Sequence, residues 1–134
     1  MHIQRLSWLG TRTANYRATA DFFADVLGLT LVQEEPGLSI FRLPGGEHDY
    51  VEVFDLEETD GIALTSGPVP GFLVDDVFGA RAELETAGVE LLGPSKWLWD
   101  YPGSEEITEY GWFNFRGPDS NVYNCMQGSP AVRV

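Results

Sequence analysis

Positive charge, histidine and cysteine are all scarce in this sequence. Eight Lys and Arg stand against 21 Asp and Glu, a formal net charge of −13 over 134 residues. Such a field repels a phosphate backbone, and no basic cluster offsets it locally, which argues against nucleic acid or an anionic membrane surface as partners. A cationic small molecule would be drawn in by the same field. The one cysteine, Cys125, has no partner for an internal disulfide. With no His or Lys beside it in sequence, it reads as a small buried hydrophobe rather than a nucleophile. Two histidines are too few for a histidine-rich metal site. His2 sits at a terminus expected to fray, and His48 lies in the turn PGGEH. His48 is four residues before Glu52, the same face of a strand, so a ligand or general-base role for it stays open. No Ser-His-Asp or Cys-His spacing, phosphate loop or CxxC pair is present. No apolar run is long enough to span a bilayer, and no charged-then-apolar segment opens the chain, which predicts a cytoplasmic protein.

What remains is a chain of one domain's length, 43% hydrophobic and 13% aromatic, ample for a core. Residues 3–13 alternate roughly as a strand, after which Asn15 is placed to cap a helix from Tyr16 to Leu27. Ala20, Phe23, Ala24 and Leu27 form its inward stripe, broadened by Phe22 and Val26, and Gly28 stops it. Strands follow at Leu29–Glu34, Leu38–Leu43 and Asp49–Asp55, separated by Pro36-Gly37 and Pro44-Gly45-Gly46. An acidic, glycine-containing linker is expected over 56–67. The pattern then begins again, with a strand at Val69–Val74, a cap at Asp75 or Asp76, and a helix burying Val77, Ala80, Leu84 and Ala87 before Gly88. Each terminal glycine leads into an apolar strand, LGLTLV and AGVELL. The spacing predicts an internal duplication of a βαβββ unit, 1–55 and 68–134, and hence an α+β fold.

The second half ends in GWFNFRGPDSNVYNCMQ, whose Gly117-Pro118-Asp119-Ser120-Asn121 turn predicts a β-hairpin. With Arg116 opposite Val122, Asn114 faces Asn124 and Trp112 faces Met126. One face of the hairpin then carries two amides, a guanidinium and an indole, which suits a ligand cavity or a half-exposed sheet. Before it, Ser95–Tyr110 forms a long aromatic connection holding Trp97, Trp99 and Tyr101. It reads either as a lid or as core packed on a strand edge.

The helix ending FFADVLGL, the strand-to-helix junction LVDDV and the terminal hairpin GPDSNVY together resemble the vicinal oxygen chelate superfamily. That superfamily contains glyoxalases, extradiol dioxygenases, fosfomycin-modifying enzymes and bleomycin resistance proteins. The resemblance spans the whole chain. It implies two βαβββ modules curved around a cavity, in a homodimer. It also implies four candidate metal-ligand positions, which fall on Trp8, Glu52, Val69 and Asn124. Only Glu52 is a good ligand for a transition metal, and Asn124 offers an amide oxygen suited to hard cations. The resemblance therefore predicts a degenerate metal site with no cofactor, a bound divalent metal being the alternative.

Two functional readings follow. One is a binder of a small organic molecule, planar or cationic, in the manner of bleomycin resistance proteins. In it Trp8, Trp97, Trp99, Tyr101 and Trp112 supply aromatic surface, and Glu52, Asn114, Arg116 and Asn124 supply polar contacts. The other is an enzyme, a glyoxalase-like lyase or isomerase or a dioxygenase. There Glu52 is a metal ligand, or a general base because a carboxylate alone in an apolar cavity has its ionised form disfavoured.

Overall fold

The computed structural model of the protein describes residues 1–46, 48–57, 67–97 and 110–128. The elements run β1 (Ile3–Arg12), α1 (Tyr16–Asp21) continued by a π-helical turn (Phe22–Val26), β2 (Thr30–Glu35), β3 (Leu38–Arg42) and β4 (Tyr50–Phe54). The second half gives β5 (Val69–Val74), α2 (Val77–Thr86), β6 (Glu90–Trp97), β7 (Gly111–Arg116) and β8 (Val122–Gln127). Among the described residues eight strands join one mixed sheet in the order β2-β3-β4-β1-β5-β8-β7-β6. The expected α+β class and the repeated βαβββ order are both present.

The order is palindromic because each half pairs its strands alike. β1 runs parallel to β4 as β5 does to β8, and the halves meet where β1 and β5 pair antiparallel. Across that seam Trp8 lies opposite Gly71 and Gly10 opposite Val69, so Trp8 corresponds to Val69 and Gly10 to Gly71 under a pseudo-twofold. Glu52 lies beside Gly10 on β4, and Asn124 lies beside Gly71 on β8, so these two also correspond.

Strand alternation sorts side chains onto two faces. The inner face gathers Trp8, Ile40, Tyr50, Phe54, Val69, Leu73, Val122 and Met126 into one buried cluster. The outer face is covered twice. The first helical segment packs Ala20 on Phe41 and Val53, and α2 packs Val77 and Ala80 on Val74, Phe113 and Cys125.

Several local expectations give way. The helix does not run unbroken to Leu27, because Phe22–Val26 closes as a π turn with the Leu27 N–H donating to the Phe22 carbonyl at 3.0 Å. The wider turn shifts the helix phase, leaving Phe22, Val26 and Leu27 exposed while Phe23 and Ala24 still pack inward. Asn15 makes no side-chain cap, whereas Asp76 accepts from the Gly79 N–H at 3.1 Å. Ala87 lies past the last turn of α2 and is exposed. Gly28 and Gly88 do take left-handed conformations, φ 71° and 81°. β6 extends to Trp97, so the connection after it is shorter than the expected Ser95–Tyr110. The N-terminus is held by His2 Nδ1, 2.8 Å from Asp75, and by the α-amino group, 2.6 Å from Glu83.

Candidate functional site

The inner face is built around an indole. Trp8 points inward from β1, and its Nε1–H donates to Glu52 Oε1 at 3.0 Å. Both residues are 8% exposed, so the bond supplies a donor to a carboxylate removed from water. The reach from Trp8 to Glu52 crosses Gly10, and a Cβ there would collide with the six-membered ring of the indole. Gly10 is thus the cradle in which the indole lies flat. Glu52 was expected alone in an apolar cavity, and this is corrected: it accepts the Trp8 N–H.

Across the seam an amide pair occupies the corresponding place. Asn124 Nδ2 donates to Asn114 Oδ1 at 2.9 Å, as the hairpin register, Asn114 opposite Asn124 and Trp112 opposite Met126, requires. That bond leaves Asn124 Oδ1 buried and without a hydrogen-bond partner. A Cβ on Gly71 would stand 3.1 Å from this oxygen and 3.0 Å from Trp8 Cβ, so Gly71 lets the indole and the amide approach the same backbone. Trp112 is half-buried on the same cluster, its ring 5.3 Å from that of Tyr110.

Residues 5–121 match the family model of the Glyoxalase/Bleomycin resistance protein/Dioxygenase superfamily. The chain belongs to this superfamily. No curated protein matches it closely enough to serve as a relative. Among solved structures, methylmalonyl-CoA epimerase from Mycobacterium tuberculosis superposes with a TM-score of 0.68 at 16% identity, covering 96% of this chain and 90% of the other. A superfamily member from Vibrio splendidus 12B01 gives 0.62 at 21% identity, covering 92% and 98%. The Mn(II)-bound glyoxalase from Novosphingobium aromaticivorans gives 0.68 at 22% identity, covering 98% of this chain and 42% of the larger protein. These likenesses establish the fold.

The superfamily implies a metal, and the four implied positions can be tested for fit. Trp8, Val69, Glu52 and Asn124 stand around the β1–β5 seam in pseudo-twofold pairs. An indole and an isopropyl group offer no usable lone pair, the one carboxylate is already bonded to the indole, and the remaining donor is a neutral amide oxygen. This donor set does not fit a transition metal. Among the described residues no group of three His, Cys, Asp or Glu converges elsewhere.

The other expected residues are more dispersed. Arg116 lies at the turn end of β7, its Nε 3.2 Å from Glu90 and its Nη1 donating to the Ser120 carbonyl at 2.9 Å. Trp97 is the last residue of β6, while Trp99 and Tyr101 lie outside the described residues, as does most of the 56–67 linker. His48 is in the turn before β4. Cys125 is buried under α2, and burial pushes its thiol up to about 11, consistent with an inert packing role. Sequence reasoning missed Gly10 and Gly71. Their signal was a glycine inside each first strand, which marks a close approach.

Proposed function

We propose that the protein binds a small, flat organic molecule with a cationic or N–H-donating end against the inner face of its sheet, without a metal, as a cytoplasmic homodimer. The observation that carries this is the Trp8–Glu52 hydrogen bond, which places an indole and its carboxylate partner where metal ligands would otherwise converge. Trp112, half-buried beside the buried Trp8, offers aromatic surface worth about 0.5–2 kcal/mol per cation contact. Asn124 Oδ1, an acceptor lacking a donor, favours a ligand that brings an N–H; satisfying such a group is worth about 1–3 kcal/mol. The acidic field of the chain attracts the same class of ligand. Sequestration of an antibiotic or metabolite, as in bleomycin resistance proteins, is the corresponding role. The enzyme reading with Glu52 as base or metal ligand is weaker, since Glu52 is engaged by the indole N–H.

Titration of the purified protein with planar aromatic cations, followed by tryptophan emission, tests this. Saturable quenching and a raised Tm are expected, with binding weakened at least tenfold by Trp8→Ala and by Asn124→Ala. Metal analysis of the same preparation should find less than stoichiometric zinc, iron, nickel or manganese. A retained stoichiometric metal, or planar cations that leave emission and Tm unchanged, would overturn the reading.

A further inference from the structure

Positive charge is scarce in this chain, and the described arginines are almost all in use. Arg5 pairs with Asp49, Arg17 with Asp21 and Glu34, and Arg116 with Glu90. Arg12 donates to the Leu56 carbonyl and Arg81 to that of Gly93. Of the described arginines Arg42 alone has neither an ion pair nor a hydrogen bond, in a chain with 21 acidic residues. It is the last residue of β3, directly opposite Tyr50 on β4 and Thr30 on β2, so it shares the inner face with Tyr50, two strands from Trp8. There it borders a cavity of about 360 Å³ lined also by Thr30, Gly28 and the turn 43–46. None of the lining residues is acidic. The carboxylate nearest to the turn is that of Asp49, which a Cβ on Gly46 would meet, and Arg5 already balances it at 3.1 Å.

We infer that this cavity binds the phosphate group of a small soluble molecule, held by Arg42. The inference is independent of the flat ligand proposed for the indole and amide site. A guanidinium presents paired N–H donors in a planar fork that fits two oxygens of a phosphate. Thr30 stands directly opposite Arg42, with its Cβ about 5 Å from that of Arg42, and adds a hydroxyl donor for a third oxygen. A carboxylate has only two oxygens and would leave that hydroxyl unused. Gly28, Gly45 and Gly46 put no side chain into the space, and Gly45 holds φ 87°, where a larger residue would be strained. The chain's charge of −13 opposes any anion at long range, but salt screens it beyond about 8 Å, whereas the fork acts in contact. An extended anionic membrane meets the whole field, which favours a soluble phosphate over a lipid headgroup.

Titration with inorganic phosphate, followed by amide NMR shifts and referred to chloride at matched ionic strength, tests this. Wild type should show saturable shifts centred on residues 28–30 and 42–46, with half-saturation on the order of 1 mM. Arg42→Gln should weaken binding by about tenfold or more. It should leave the Tm in chloride unchanged, because no protein group loses a partner. Arg17→Gln, which removes an exposed and ion-paired arginine, should bind phosphate as wild type does. Acetate should bind wild type about threefold more weakly than phosphate, or weaker still. Shifts no larger in phosphate than in chloride, or an Arg42→Gln variant that binds as well as wild type, would overturn the site. Acetate binding as tight as that of phosphate would overturn the phosphate class. Retention on phosphatidic acid vesicles that Arg42→Gln abolishes would overturn the soluble source. Should Arg42→Gln fail to fold, Thr30→Val decides, since it keeps the fork and removes the hydroxyl; undiminished phosphate affinity would then overturn the inference.

Discussion

One absent methyl group shapes the site at the scale of single residues. Because the Trp8 indole lies over Gly10, a side chain at position 10 and the indole compete for the same volume. Gly10→Ala should destabilise wild type by about 1–3 kcal/mol and cost much less in a Trp8→Ala background, as measured by urea unfolding in a double-mutant cycle. Equal costs in both backgrounds would show that the indole does not occupy that space. Trp8→Phe keeps most of the apolar volume but removes the N–H, so the Glu52 carboxylate loses its indole donor and stability should fall by about 1–3 kcal/mol. The Asn114–Asn124 pairing was legible in the sequence because strand period and turn chemistry set it, whereas Trp8 and Glu52 were singled out only through the family resemblance. The Trp8–Glu52 bond was not. It depends on two strands from distant parts of the chain lying side by side with a glycine between, and neither composition nor period encodes that adjacency.

Secondary-structure elements show where local signals hold and where packing overrides them. Asn15 and Asp76 occupy equivalent helix starts, yet only Asp76 bonds to the backbone of its helix. Asp76→Ala should therefore cost about 0.5–2 kcal/mol, whereas Asn15→Ala should change stability by less than about 0.5 kcal/mol. Chemical denaturation of the two variants measures the difference, and equal losses would mean that Asn15 caps in solution. The glycine stops and the last hairpin were readable because each rests on a few neighbouring residues. The Phe22–Val26 π turn was not, since its apolar pattern also fits an ordinary helix with a broad inward stripe. It takes the packing of Phe23 on Phe41, rings 5.8 Å apart and nearly perpendicular, to show which phase is used. The bulges of β1 against β5, which bring Ile3, Leu6 and Leu9 to one face, were hidden similarly, because a three-residue apolar repeat in a strand has meaning only once its partner's register is known.

At the scale of the whole molecule the duplication was plain, since two cap-to-glycine intervals recur, but the strand that joins the halves was not. Pseudo-twofold symmetry is satisfied by any seam between equivalent strands, and the choice of β1 with β5 is made by tertiary pairing alone. That choice governs how the chain acquires its structure over time. Of these eight strands β1 is made first, yet it ends in the middle of the sheet, and its two neighbours, β4 and β5, are synthesised later. Until β5 arrives, β1 presents a bare hydrogen-bonding edge. Refolding should accordingly be slow for a small domain, milliseconds to seconds by order of magnitude, and a chain ending at residue 66 should show no cooperative melt by circular dichroism. A sharp transition in that fragment would mean that the first half completes itself. Otherwise the nascent N-terminal strand remains open to passing partners until the second half is made, a window in which chaperones and aggregation compete for it.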